Sequence, residues 1–402
     1  LLLANTDSDL LVVGAGISGL TLAHLATARG LRVQVLEAAE RPGGCLWSHE
    51  FDAPAPGFWV ELGAHTCFNS YGTLLEVMDG CGLTGEVLKK RKVSYRMRAG
   101  GAQHSIFSRL HLLELLASLR HLPFTKKAGM TVRAYYGRVL GKRNYEDVFG
   151  PAFNAVICQD AAQFDAEALF RKKPRRKDVL RSFTMAGGLQ HIALEIARRS
   201  TFALQTGVSV ASLRRDGGVW TATAGDGTRW TAPRAALAVP AARAAGLIEA
   251  EDAELAGMLA EIPVVDIETF AVVVPAHRLP SKPTAGIIAV DDDFYSAVAR
   301  DPVHDPRVRG FTFHFKPGRL DAEGKLECAA RVLGIARADI AAHAERLNRL
   351  PQLGVGHAEV VAAIDRRLAA HGLGLTGNYF HGVSIEDCAS RSATELSRLT
   401  ST

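Results

Sequence analysis

A strand-length apolar run that breaks into spaced glycines and returns to a second strand ending on an acid leaves few folds open to a chain. Here that run is "LLVVGAGISGLTLAHLATARGLRVQVLEAAERPGGC", Leu10 to Cys45. Leu10 to Val13 reads as a short apolar strand, and Gly14, Gly16 and Gly19 follow at G-x-G-x-x-G spacing. A helical pattern runs from about Ser18 to Arg29 and stops at Gly30, a residue suited to the position past a helix end. Arg32 to Leu36 is a second strand and Glu37 its terminal acid. Strand, glycine turn, helix, strand and acid in that order are a βαβ dinucleotide unit. Gly14 permits the tight turn, Gly16 lets backbone approach a pyrophosphate, and Gly19 lets helix and strand pack closely. The helix N-terminus offers free N–H groups and partial positive charge to phosphates. Glu37 lies where a carboxylate reaches ribose hydroxyls.

The rest of the chain bounds what surrounds that unit. Its 402 residues exceed one simple core and predict two structural domains. A hydrophobic share of 48% with 22% charged residues fits a soluble globular protein. No apolar run reaches the roughly 18 residues that cross a bilayer. The opening "LLLANTDSDLL" shows no basic n-region and no small-residue cleavage site, so no signal peptide is expected. The six cysteines form no C-x-x-C pair, which argues against a zinc site and against a disulfide scaffold, and no metal centre is expected. A reducing cytoplasm is the expected compartment. A net charge of +5 is no nucleic-acid signature. It is concentrated in "KKRK" (89–92), read as a solvated loop, and "RKKPRRK" (171–177), read as a solvated loop or a basic rim that attracts anions.

Past Glu37 the sequence continues "AAERPGG", with Arg41 and the pair Gly43-Gly44. A second glycine pair is not needed to hold a nicotinamide nucleotide; it suits a second backbone approach to an extended cofactor. With these residues the chain resembles the flavin amine-oxidase superfamily, whose N-terminal pattern runs G-x-G-x-x-G, E, R-x-G-G. The resemblance implies resident FAD. Cys45 departs from it, because many members carry arginine there. Val60-Glu61-Leu62-Gly63-Ala64 resembles the superfamily's E-x-G-A/G segment beside the isoalloxazine ring. Small residues let backbone lie near a flat ring. The resemblance thus implies cofactor contacts from Gly14, Ala15, Gly16, Ile17, Ser18 and Gly19, and from Glu37, Ala38 and Arg41. It adds Gly43, Gly44, Cys45, Leu46 and Trp47, then Leu62, Gly63, Ala64 and His65. His65 is the candidate catalytic residue, with a structural histidine bonded to backbone as the equal alternative.

Residues 72–185 carry no nucleotide motif and are helix-rich by pattern. Within "SRLHLLELLASLRHLPF" (108–124), Leu112, Leu113, Leu116 and Leu119 recur at helical spacing between basic flanks. That predicts a buried helix of a substrate domain or, second, a helix that lies on a membrane surface. Gly187-Gly188 resembles the superfamily's return to the nucleotide domain. A strand, a hairpin turning at Asp216-Gly217-Gly218 and a buried strand ending at Pro240 follow. Here the resemblance places Val208 against the adenine and Pro240 beside the cofactor. Strands "DIETFAVVVPA" and "RGFTFHF" and a helix from about Ala322 to Leu333 complete the substrate part.

The C-terminal motif narrows the subfamily. Leu373 to Thr376 reads as a buried strand, followed by Gly377-Asn378 and Gly382-Val383-Ser384-Ile385, then a helix. "LPQLGVGH" with "LTGNYFHGVSIEDC" is similar to the protoporphyrinogen oxidase family. The resemblance implies cofactor contacts from Gly377, Asn378, Val383, Ser384 and Ile385, with the last helix aimed at the flavin edge that gathers charge. Asp387 is expected at its cap. Cys388 lacks the S-G-C-Y context of covalent members, so the FAD is expected to be non-covalent.

The expected fold class is α/β, a Rossmann-type FAD-binding domain of the amine-oxidase kind with an inserted α+β substrate domain. The first domain comprises 1–71, 186–262 and 346–402, the second 72–185 and 263–345. The implied activity is hydride removal from a C–N or C–C bond of a reduced cyclic or amine-type small molecule, with electrons passed to O2. A flavin-assisting lysine has no counterpart in "DIETFAVVV". "GAHTCF" resembles the histidine-bearing loop of UDP-galactopyranose mutase, so a non-redox flavoenzyme is the alternative, with a non-catalytic flavoprotein as the third reading. Neither nucleic acid nor an NAD(P) site is expected. Peripheral membrane contact and a homodimer stay open.

Overall fold

In the computed structural model, residues 8–369 and 372–401 are described. The first residues of the opening segment, where the absence of a leader is expected, lie outside them. Leu10–Val13 forms the middle of a five-stranded parallel sheet in the order 203–205, 33–36, 10–13, 234–237, 373–375. Four apolar residues in a row suit such a strand, because both faces of the sheet are covered. Leu10 and Val12 enter one core with the helix Ile17–Ala28, the helix Gly72–Gly80 and the C-terminal helix Ile385–Thr400. Leu11 and Val13 enter the other core, beneath a three-stranded antiparallel sheet and the helices Ala241–Ile248, Ala253–Ala260 and His357–Leu368.

A seven-stranded mixed sheet forms the other layer, in the order 342–351, 264–275, 308–315, 294–299, 286–289, 95–99, 102–105. One face carries Phe270, Phe311, Phe313 and Phe315 against the helix Ala322–Leu333. The other buries Ala271, Val273 and Val308 under the hairpin 48–51/58–61, through Phe51, Phe58 and Val60. That hairpin is the seam between the two layers, and Glu61 at its end enters the site.

Two regions depart from the pattern-based expectation. The stretch 72–185 is not only helical: Val87–Lys89, Tyr95–Ala99, Ala102–Ser105 and Ser182–Met185 are strands. Tyr95–Ala99 pairs in parallel with Gly286–Ala289, a partner far away in sequence. Its hairpin with Ala102–Ser105 turns at Gly100-Gly101, with φ of +55° and +78°, as a two-residue primed turn requires.

The second departure concerns the helix Leu112–Leu119, expected to be buried. None of its residues is buried, and Leu112, Leu113, Leu116 and Leu119 are between 40% and 86% exposed. Polar anchors explain the inversion. Glu114 accepts hydrogen bonds from the Arg143 and Asn144 amides at 3.1 and 2.9 Å, and His111 lies 2.7 Å from Asp147. The polar side of the helix therefore docks on the protein and the leucines face outward with Phe107, Leu122 and Phe124.

Candidate functional site

The glycine turn is built on close approach. At Gly14, φ is +103° and an added Cβ would lie 2.6 Å from the Ala238 carbonyl oxygen. At Gly19 it would lie 1.9 Å from the Gly14 oxygen, so helix and strand touch there. Gly16 differs: the nearest atom to its added Cβ is Gly44 Cα at 3.8 Å. Gly16 and Gly43 form an isolated bridge, and the Gly43 amide donates to Ala15 O at 2.8 Å. The helix Ile17–Ala28 has no side chain capping its N-terminus, which leaves its first amides to a ligand. Glu37 stands at the adjoining strand end, accepting from the Ala15 and Ala39 amides at 2.6 and 2.9 Å. The Val208 amide donates to Glu37 O, which puts Val208 beside the expected ribose site and the exposed Ala38.

Beyond the second glycine pair lies a cationic wall. The guanidinium carbons of Arg41 and Arg346 sit 3.3 and 4.0 Å from the centre of the Trp47 indole. Burial, with their mutual repulsion at Arg41, lowers the pKa of both. Among the described residues neither forms a salt bridge, and Arg346 Nη1 is buried without a partner while Nη2 donates to Gly44 O at 3.1 Å. Sequence reasoning placed Arg41 here and missed Arg346. The signal was present: residues 342–350 alternate half-buried and exposed, and the inward set contains Arg346 and Asn348. Cys45 itself is exposed at this wall, beside Gly44 and against buried Leu46.

Next to this wall the segments 45–47 and 62–64 run side by side. Leu62 N donates to Trp47 O at 2.8 Å and Ala64 N to Cys45 O at 3.1 Å. A Cβ on Gly63 would lie 2.0 Å from Cys45 O. Asn348 Nδ2 fixes the strip, donating to Leu62 O and Thr269 Oγ1 at 2.7 and 2.8 Å. His65 Nδ1 lies 3.0 Å from Gly63 O, and its ring centre is 5.3 Å from that of His314. Burial lowers the pKa of both imidazoles, that of His314 to about 3, so both are neutral at pH 7.

A narrow cavity opens beside His65, lined by Trp59, Glu61, Lys90, Arg300 and Thr312 among others. Lys90 Nζ donates to Thr66 Oγ1 at 2.7 Å and to His65 O at 3.3 Å. "KKRK" is therefore not wholly a solvated loop: Lys89 points out and Lys90 points in. Glu61 accepts from Ser48 Oγ at 2.6 Å and Leu189 N at 2.8 Å, and burial pushes its pKa up to about 7. Arg300 stacks 3.5 Å over Trp59, and burial brings its pKa down to about 10.

The C-terminal helix packs on the start of the glycine-turn helix, where Ser392 Oγ donates to Ser18 O at 2.8 Å. Ser384 and Asp387 form a reciprocal capping box on the helix Ile385–Thr400, as expected of Asp387. Glu386 caps a second helix, accepting from Thr73 N and Leu74 N at 2.9 and 3.1 Å. Lys173, from the second basic run, reaches Asp387 at 2.6 Å, whereas Arg176 pairs with Asp79 and Asp178. Gly377, Asn378 and Val383 are partly exposed along the connection, and Pro240 stands at the N-terminus of the helix Ala241–Ile248. Cys388 is buried and its thiol pushed up to about 12. Among the described residues no metal-ligating cluster occurs.

Residues 17–151 match the family model for flavin containing amine oxidoreductase. A protein from Exiguobacterium sp. 255-15, provisionally named protoporphyrinogen oxidase, superposes with a TM-score of 0.78 at 17% identity, over 98% of this chain and 99% of that one. The chain has the fold of the flavin amine-oxidase superfamily. Reduced UDP-galactopyranose mutase superposes with a TM-score of 0.76 at 15% identity, over 100% of this chain and 94% of that one. In sequence, putrescine oxidase of Kocuria rosea is 33% identical over 99 residues, which is 25% of this chain and 20% of that protein. The chain thus spans a fifth or less of the length of the curated relatives it matches. Among the described residues no helix is long and apolar enough to cross a membrane.

Proposed function

We propose that the chain is an FAD-dependent oxidase or desaturase. It removes a hydride from a C–N or C–C bond of a reduced cyclic or amine-type small molecule and passes the electrons to O2. One observation carries the reading: an uncapped helix N-terminus lies against Gly44, whose carbonyl accepts from Arg346, one of a pair of carboxylate-free arginines on the Trp47 indole. Orphaned cations and free amides suit a pyrophosphate, and Glu37 with Val208 suits the adenosine end. FAD therefore fits the residues present, held without a covalent bond. When bound, it supplies two-electron oxidation of a carbon centre. The chain's own residues do the rest. Asn348 holds the Leu62–Ala64 strip, small Gly63 and Ala64 admit a flat ring, and neutral His65, packed on His314, walls the adjoining cavity with Thr312.

In this reading 1–71, 186–262 and 346–402 hold the cofactor, and 72–185 and 263–345 shape the substrate side. The helix Gly72–Gly80 packs on the first group, and the strand Ala342–Pro351 joins the two. The outward leucines of 112–119, amid Arg109, Arg120, Lys126 and Lys127 with Glu114 as the lone acid between 107 and 127, support peripheral docking on an anionic bilayer from the cytoplasmic side.

The test is purification followed by acid precipitation. A yellow protein with one FAD per chain, released into the supernatant, supports the reading. Anaerobic addition of a substrate should bleach the flavin, and air should restore it with peroxide formed. Turnover with no flavin reduction at any time would move the protein to the mutase class. Bound flavin with no turnover across amine and cyclic substrates would leave a non-catalytic flavoprotein.

A further inference from the structure

The cavity beside His65 has an unusual charge inventory. Two cations line it, Lys90 and Arg300, and neither forms a salt bridge among the described residues. Lys90 is bonded to a hydroxyl and a carbonyl. Arg300 Nη1 donates to the Val303 carbonyl, and its Nε is buried without any partner. The one carboxylate in the wall, Glu61, has both oxygens occupied by Ser48 and the Leu189 amide. Burial also keeps Glu61 partly protonated near neutral pH, so it offsets less than one of the two positive charges. A half-buried cation without a counter-ion is costly; a ligand that brings the anion removes that cost. The cavity measures about 40 Å³, room for about three waters at roughly 10–15 Å³ each on the same measure, or for one carboxylate.

We propose that this cavity binds a carboxylate of the substrate between Arg300 and Lys90, so that the molecule oxidised is an organic acid rather than a diamine. The inference rests on the oxidase reading and names the substrate class for it. The Trp59 indole fixes the Arg300 guanidinium by stacking, at 3.5 Å, and leaves its edge to the ligand. A protonated amine in the same place would face two like charges, with Glu61 already accepting from Ser48 and the Leu189 amide.

The probes are benzoate, benzylamine and neutral benzamide, alike in shape and different in charge. Each is titrated into the holoprotein, with heat and Trp fluorescence as readouts that do not depend on flavin. Benzoate should bind at one site per chain and at least tenfold more tightly than benzylamine or benzamide. Arg300→Gln should weaken benzoate at least tenfold, and Arg300→Lys less. Lys90→Met should weaken it severalfold, whereas the exposed neighbour variant Lys89→Gln should leave it unchanged. Trp59→Phe should remove the fluorescence change while heat is still released. Benzylamine binding as tightly as benzoate, or an unaltered benzoate affinity in a folded Arg300→Gln protein, overturns the proposal. If Arg300→Gln does not fold, the benzoate-to-benzylamine ratio of the unaltered protein decides alone. A chain that purifies without flavin refutes the oxidase reading, while the calorimetric contrast between the two probes still reports on the cavity.

Discussion

The cleft under Gly16 and the cavity between Lys90 and Arg300 are assembled in opposite ways. The cleft is mostly local: residues 14–19, 37–47 and 61–65 supply most of it, and Val208, Arg346, Asn348 and the C-terminal segment come from afar. The cavity draws Glu61, Lys90, Arg300 and Thr312 from four separate strands and loops. In the cleft backbone amides and absent side chains set the shape, and Glu37, Arg41 and Arg346 stand at its edge. In the cavity the working groups are charged side chains, each held by a different part of the fold. A backbone site tolerates almost no added atoms; a side-chain site tolerates exchange and answers in affinity.

Adding a methyl group is the sharpest way to break that contrast. Gly19→Ala puts carbon 1.9 Å from Gly14 O and should prevent a folded holoprotein from accumulating. Gly16→Val meets no protein atom nearer than 3.8 Å at its Cβ, so the apoprotein should fold and melt normally yet hold under a tenth of the usual flavin. Equal yield and melting temperature of the two apoproteins would dissolve the distinction between a packing glycine and a ligand-facing one.

Glu61 gives the next largest effect. The folded protein holds this proton more tightly than the unfolded chain, since its pKa rises from 4.5 to about 7. Stability should therefore fall as pH rises through that window and level off above it, by about 3 kcal/mol. Glu61→Gln should flatten that part of the slope in urea unfolding at a series of pH values. An unchanged slope would show that the carboxyl is hydrated in solution.

Arg346→Met should be milder, because Arg41 remains on the same indole. Flavin should still bind, about tenfold more weakly, with little change in melting temperature. A variant with full affinity would put the pyrophosphate elsewhere. Smallest in stability is Leu113→Glu with Leu116→Glu, both on the outward face. Exposed positions of this kind move stability within about 0.5 kcal/mol, yet sedimentation with phosphatidylserine-containing vesicles should be lost. No vesicle binding by the unaltered protein, or a monomer–dimer equilibrium that the double variant abolishes, would assign that face to a second copy.

The sequence by itself determined the nucleotide half to within a residue or two. Leu10–Val13, the helix from Ile17, and the acid at Glu37 are where spacing put them, because turn glycines and apolar periodicity act over a few residues and carry their own geometry. The hairpin at Gly100-Gly101 was equally legible as a two-glycine turn, and was missed only because helical patterns dominate its neighbours. Tertiary structure alone decided three things. Polar anchors at His111 and Glu114 turned an apolar helix outward, which periodicity cannot foresee because it fixes which residues share a face and not what covers that face. Strand pairing across the chain brought Arg346 to the indole of Trp47 and Asn348 to Leu62. The fold likewise carried Lys90 out of a four-residue basic run and set it, with Arg300, in one cavity wall. Charge in a sequence is a sum, whereas a binding site depends on which charges burial leaves without partners, and only the packed chain settles that.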